Sequence, residues 1–146
     1  MKKTVLILMI VSFFLTGYSQ EKAKPVPDPR LIEAFGQETV DFYMEKSPST
    51  ITYYNFFLQY SYTVVDFPTE KGDPTGLYPV LTKKAQHENV YSDYLTQGVQ
   101  RFNILLYDVK ADTFNGEHYL IPGSRKILVF RSGAEIQALY REYQTK

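Results

Sequence analysis

The stretch TITYYNFFLQYSYTVVDF, Thr50 to Phe67, constrains this chain more than any other part of it. Seven of the fifteen residues from Tyr53 to Phe67 are aromatic. Each such ring buries about 150–250 Å2 in a folded protein, so any fold must surround most of them. The chain has no cysteine, and no disulfide can stand in for that burial. Two periods fit the stretch. As a helix, Ile51, Tyr54, Leu58 and Tyr62 form one stripe, with Tyr53, Phe57 and Tyr60 on the far side. As a strand, Tyr54, Phe56, Leu58, Tyr60, Tyr62 and Val64 alternate with Asn55, Gln59, Ser61 and Thr63, and Phe57 is the one exception. Ser47-Pro48 is a helix start signal and decides for a helix over Pro48 to Tyr60. Thr63, Val64 and Val65 then favour a strand from Tyr62 to Phe67.

The chain opens with Lys2 and Lys3, followed by an apolar run from Val5 to Leu15 broken only by Ser12. Gly17 and Ser19 place small residues two apart, as signal peptidase requires. Eleven residues are too few to cross the bilayer core as a helix, which takes about 20. Residues 1–19 therefore read as a cleaved signal peptide, with the exported chain starting near Gln20. A glutamine just after the cut resembles export signals common in the Bacteroidetes; the resemblance covers the leader alone. It implies a periplasmic or secreted protein. With no cysteine there is no lipobox, so a bacterial lipoprotein is not expected.

Residues 20–28 carry Pro25 and Pro27, with Pro29 next, and read as a proline-rich leash. Asp28 and Pro29 are an N-cap and first helical residue for a helix from Pro29 to Lys46, open to a break at Gly36. Ile32, Gly36, Val40 and Tyr43 are its expected common face. Pro68 to Gly76 is a loop. LYPVLT, from Leu77, is a short edge strand because Pro79 cannot donate to a ladder. Residues 84–97 are loop with a weak helix. Then come a strand in RFNILLYDVK from Arg101, a hairpin turn at Asn115-Gly116, and strands HYLI and KILVF joined by a tight turn at Pro122-Gly123-Ser124. Ser132 and Glu135 form a capping box ahead of a last helix whose stripe is Ile136, Leu139, Tyr140 and Tyr143. Residues 29–146 thus read as one α+β domain: a mostly antiparallel sheet of about five strands, with N-terminal helices and a C-terminal helix packed on one face.

The chemistry is spare. His87 and His118 stand 31 residues apart with no cysteine, short of the three or four clustered ligands a zinc site needs. No metal, cofactor or catalytic residue is assigned. Serines are present, but none sits in a G-x-S-x-G elbow or S-x-x-K pair, and GDPTG lacks the alternating acids of a calcium loop. His118 beside Asp108 or Asp112 is the best hydrolytic pair available. Without Lys2 and Lys3 the chain carries 14 basic and 16 acidic residues, so no basic field exists for a nucleic acid.

What remains is the aromatic load and a few cations. Past the leader there are 12 Tyr and 8 Phe, with no Trp. Tyrosine packs its ring while its hydroxyl stays wet, a habit of interfaces. Candidate interface residues are therefore Tyr53, Phe57 and Tyr60, together with the cationic set Arg125, Lys126 and Arg131 as an anion-contacting patch. The expected function is an exported, soluble, non-enzymatic accessory module of a bacterial cell envelope, docking on a larger protein assembly. One alternative is a binder of a sugar or peptide in a tyrosine-lined cleft; another is a small hydrolase using His118 and a nearby acid. Nothing in the sequence fixes an oligomeric state.

Overall fold

In a computed structural model, residues 23–88 and 102–145 are described. The signal segment, the start of the leash, most of the weak helix expected in 84–97, and Arg101 lie outside them. The described chain is α+β: four helices and a three-stranded antiparallel sheet.

Helix α1 spans Pro29–Phe35 and starts as its residues demand. Asp28 accepts the Arg30 N–H on its carboxylate, and Pro29 occupies the first turn. Gly36, at φ 82°, is in a conformation that a Cβ disfavours. It ends α1 and leads into α2, Gln37–Lys46. The break also resets the buried face. Leu31 and Ala34 are buried while Ile32 is 39 % exposed, so the single face expected through Ile32, Gly36, Val40 and Tyr43 is not formed. Helix α3, Pro48–Tyr60, has the bounds the sequence implies. The Ser47 hydroxyl pairs with the Thr50 hydroxyl instead of capping a backbone N–H.

Strand β1, Tyr62–Asp66, follows α3 at once. It pairs with β3, Lys126–Phe130, which also pairs with β2, Glu117–Leu120, giving the order β1-β3-β2. Registers are Tyr62↔Phe130 and Asp66↔Lys126 on one side of β3, and Glu117↔Phe130 and Leu120↔Ile127 on the other. Side chains alternate across a sheet. One face thus carries Tyr62, Tyr119, Leu128 and Phe130 into the core shared with Leu31, Ile51, Phe56 and Ile136. The other carries Phe67, Leu120 and Ile127 into a smaller cluster with Tyr78.

The sheet has three strands, not about five, and two expected strands are absent for identifiable reasons. LYPVLT makes only isolated bridges, Thr75↔Tyr78 and Val80↔Leu120, since Pro79 has no N–H to extend a ladder. In RFNILLYDVK, Ile104–Leu106 form a 3-10 turn capped by the Asn103 side chain. Phe102, Ile104, Leu105 and Leu106 are all buried, so the apparent alternation of Phe102, Ile104 and Leu106 did not mark a one-sided strand. Asn103 is buried too, and its amide donates to the Arg30 carbonyl and to Glu33.

Asn115-Gly116 is not a type I′ turn either, for neither residue has positive φ. Asp112 gathers the loop, accepting the N–H groups of Phe114 and Asn115 at 2.8 and 2.7 Å. Gly116 serves a close approach: a Cβ there would lie 2.9 Å from the Phe130 carbonyl oxygen. The Pro122-Gly123-Ser124 turn forms as expected. Ser124 N–H returns to the Ile121 carbonyl and Gly123 has φ 67°, as position i+2 of a type II turn requires.

Helix α4, Gly133–Gln144, is the best-capped element. Ser132 and Glu135 form the expected box. The Asp112 and Thr113 carbonyls accept the Gly133 and Ala134 N–H groups at 2.8 and 2.9 Å. All four N–H groups orphaned at a helix start are thereby met, those of Ser132 and Glu135 by each other's side chains and those of Gly133 and Ala134 by the loop.

Candidate functional site

The rings of α3 divide between wall and surface. Tyr54 packs on Phe35 at 4.9 Å between centroids, facing α1. Phe57 meets Phe130 of the sheet at 6.0 Å. Tyr53 meets Tyr140 of α4 edge-on at 5.1 Å. Burial pushes the Tyr53 and Tyr54 hydroxyls above the ordinary tyrosine range, as desolvation of a phenolate does. Of the candidate interface residues on this helix, Tyr53 and Phe57 are therefore half-buried packing residues.

Tyr60 is different. It stacks on buried Phe56 at 5.2 Å, stays 38 % exposed, and lies 6.0 Å from Tyr143, itself 37 % exposed. Phe56 also touches Tyr143 at 5.3 Å, so the three rings form one ridge where α3 meets α4. A groove of about 420 Å3 runs along it, lined by Phe56, Tyr60, Leu139, Glu142 and Tyr143. The sequence pattern placed Tyr143 with the buried stripe of α4. In the fold it sits toward the helix end, where Phe56 covers only part of the ring.

Tyr143 lines two further grooves. One, of about 640 Å3, runs between Lys24-Pro25 and Tyr140, with Thr52 and Gln144. The other, of about 760 Å3, is bounded by Pro27, Pro29 and Arg30 and by Asn55, Gln59 and Thr63. Each of the three grooves contains two tyrosines. Beside the last one, Arg30 is held by the Asp28 carboxylate at 2.8 Å and donates to the Phe102 carbonyl at 3.0 Å. The Arg30 guanidinium in turn holds the Asp28 carboxyl below the usual aspartate range.

The cationic candidates do not converge. Arg125 and Arg131 flank the five residues of β3, about 20 Å apart at the rise of a strand. Each has a partner. Arg125 donates to the Gly72 carbonyl at 2.6 Å and lies over the Phe67 ring, tying down the 68–72 loop. Lys126 pairs with Asp66 across the sheet at 2.5 Å. Arg131 donates from Nε to the Tyr60 carbonyl at 2.9 Å, where a cation suits a helix C-terminus. These contacts explain the charges without an anion, and Arg131 links the end of β3 to the ridge.

His118 lies on the outer sheet face with its ring 6.1 Å from Tyr78. Of its expected acids, Asp112 is engaged in organising its own loop, where its carboxylate accepts the Phe114 and Asn115 N–H groups. Among the described residues no group of three or more His, Cys, Asp or Glu side chains converges as a metal site would require. Among the same residues no helix is long and apolar enough to cross a membrane. Comparison with known protein families, with curated proteins and with solved structures finds no match for this chain.

Proposed function

We propose that this protein is an exported, non-enzymatic interaction module of a bacterial cell envelope, docking on a larger envelope protein through the aromatic ridge of α3 and α4. The observation that carries the reading is the Tyr60–Phe56–Tyr143 ridge: two tyrosines more than a third exposed, packed against a buried phenylalanine, beside an open groove with Leu139. Rigid, half-exposed tyrosines over a packed base are the anchors that protein interfaces favour. Tyr60 and Tyr143 are the contact residues. Tyr53, Phe57 and Arg131 position them from behind, through Tyr140, Phe130 and the Tyr60 carbonyl. The address follows from the leader: Lys2-Lys3, a short apolar run and the small residues Gly17 and Ser19 support export and cleavage near Gln20.

The test is capture from envelope extract by the immobilised chain, with mass spectrometry, run beside the Tyr60→Ala/Tyr143→Ala variant. A partner retained by the parent chain and lost by a folded variant supports the reading. Equal retention by both removes the ridge from it.

A further inference from the structure

Residues 24–28 lie along α3, and one side chain reads their backbone. Asn55 donates from Nδ2 to the Val26 carbonyl at 2.8 Å and accepts the Asp28 N–H on Oδ1 at 3.0 Å. A single carboxamide thus holds residues i and i+2 by their main chain, which requires the segment to be extended. Asp28, at φ −64° and ψ 134°, is close to polyproline II. Pro25, Pro27 and Pro29 fix φ near −65° and prepare that conformation. The two groups that Asn55 uses belong to the non-proline residues between them. Val26 turns its side chain outward at 83 % exposure, so the prolines and the backbone are what this site reads. On either side are the rings: Tyr140 and Tyr143 share a groove with Pro25, and Tyr62 and Tyr143 share one with Pro27 and Pro29. Aromatic rings beside prolines, with an amide on the main chain, is how polyproline II ligands are bound.

We propose that this groove is a binding site for an extended, proline-containing segment of a partner protein, with the chain's own residues 24–28 as its occupant in cis. A tethered ligand of this kind acts at an effective concentration of about millimolar. The strap therefore gates the site, and an incoming segment must displace it. The inference stands on Asn55 and the strap and shares only Tyr143 with the ridge; because the titration varies Asn55 and the prolines and the capture experiment varies the ridge tyrosines, the two fail separately.

The chain has no tryptophan, so Val26→Trp gives a single fluorescent reporter at an exposed position. Its anisotropy is followed while a synthetic peptide of residues 23–29, AKPVPDP, is added. The expected result is a saturable fall at millimolar peptide as the strap is released, with no effect from AKGVGDG. In a Pro25→Gly/Pro27→Gly background, where the strap is less pre-organised, about tenfold less peptide should suffice. Asn55→Ala should lower the anisotropy with no peptide present and abolish the titration, while the cooperative melt persists. If Asn55→Ala does not fold, the titration of the parent and proline variants decides alone. No change at tens of millimolar peptide in either background, or an equal response to AKGVGDG, overturns the proposal.

Discussion

Two buried serines should respond to the same substitution with opposite sign. Ser61, at the end of α3, is fully buried, and its hydroxyl has no hydrogen-bond partner among the described residues. Its main chain is satisfied separately: its N–H donates to the Phe57 carbonyl, and its carbonyl accepts the Arg131 N–H. Ser61→Ala thus removes an unsatisfied hydroxyl and no bond. Leaving such a group buried costs about 1–3 kcal/mol, and recovery of about 1 kcal/mol is expected, since alanine fills the site incompletely. Ser132, 3 % exposed, is the reverse case. Its hydroxyl accepts the Glu135 N–H at 3.3 Å and donates to the Glu135 carboxylate at 2.8 Å. Ser132→Ala loses both, at a cost of about 0.5–2 kcal/mol. For a domain of this size 1 kcal/mol moves Tm by about 4 °C. Thermal and urea melts of both variants should therefore place Ser61→Ala about 4 °C above the parent and Ser132→Ala about 2–8 °C below it. A fall for Ser61→Ala would mean that its hydroxyl has a partner, and the reasoning on this junction would be wrong.

Asp28→Asn keeps an N-cap side chain but removes the ion pair with Arg30. A carboxyl whose pKa is depressed on folding contributes stability above its unfolded pKa and loses it as pH falls through the folded value. The Asp28 carboxyl is depressed, so this variant should lag the parent by about 1 kcal/mol at pH 7, given the exposure of the pair. In urea melts across pH the gap should close below about pH 4; a gap that persists there would exclude the ion pair as its cause. Leu128→Ala, in the main core, should cost about 3–5 kcal/mol, and Ile127→Ala, in the smaller outer cluster, about 2–3 kcal/mol, read from the same melts. Gly116→Ala places a Cβ 2.9 Å from the Phe130 carbonyl and should cost about 1–3 kcal/mol through backbone displacement. An unchanged melt would show that β2 does not pass β3 so closely.

What was legible in the sequence was local. Ser47-Pro48 fixed the start of α3, Pro122-Gly123 the hairpin turn, and Ser132 with Glu135 the start of α4, because each motif acts within four residues. Burial by distant partners was not legible. The 104–106 run reads as a strand face until Asn103 is seen bonded to Arg30 and Glu33. Asn115-Gly116 has the composition of a hairpin turn, yet the loop is organised by Asp112 and by close passage under Phe130. At the candidate site the sequence singled out Tyr60 on α3, but Tyr143 looked like core and Asn55 like an ordinary polar position. One signal pointed to Asn55: an amide on the same helix face as Ile51, Leu58 and Tyr62, in a chain with alternating prolines upstream. The contacts of Arg125, Lys126 and Arg131 were not legible, because a positive residue in the sequence gives no hint of the distant carbonyl or carboxylate it will meet.

The central claim is that the ridge at Tyr60 and Tyr143 meets a partner. The most direct test is site-specific photo-crosslinking, with benzoylphenylalanine placed in turn at Tyr60, at Tyr143 and at Phe114, which is 83 % exposed on the loop organised by Asp112. The account predicts one discrete adduct with the same envelope protein from Tyr60 and Tyr143, and none from Phe114. Adducts from Phe114 alone, or none from the ridge while the protein is correctly exported and folded, would contradict it.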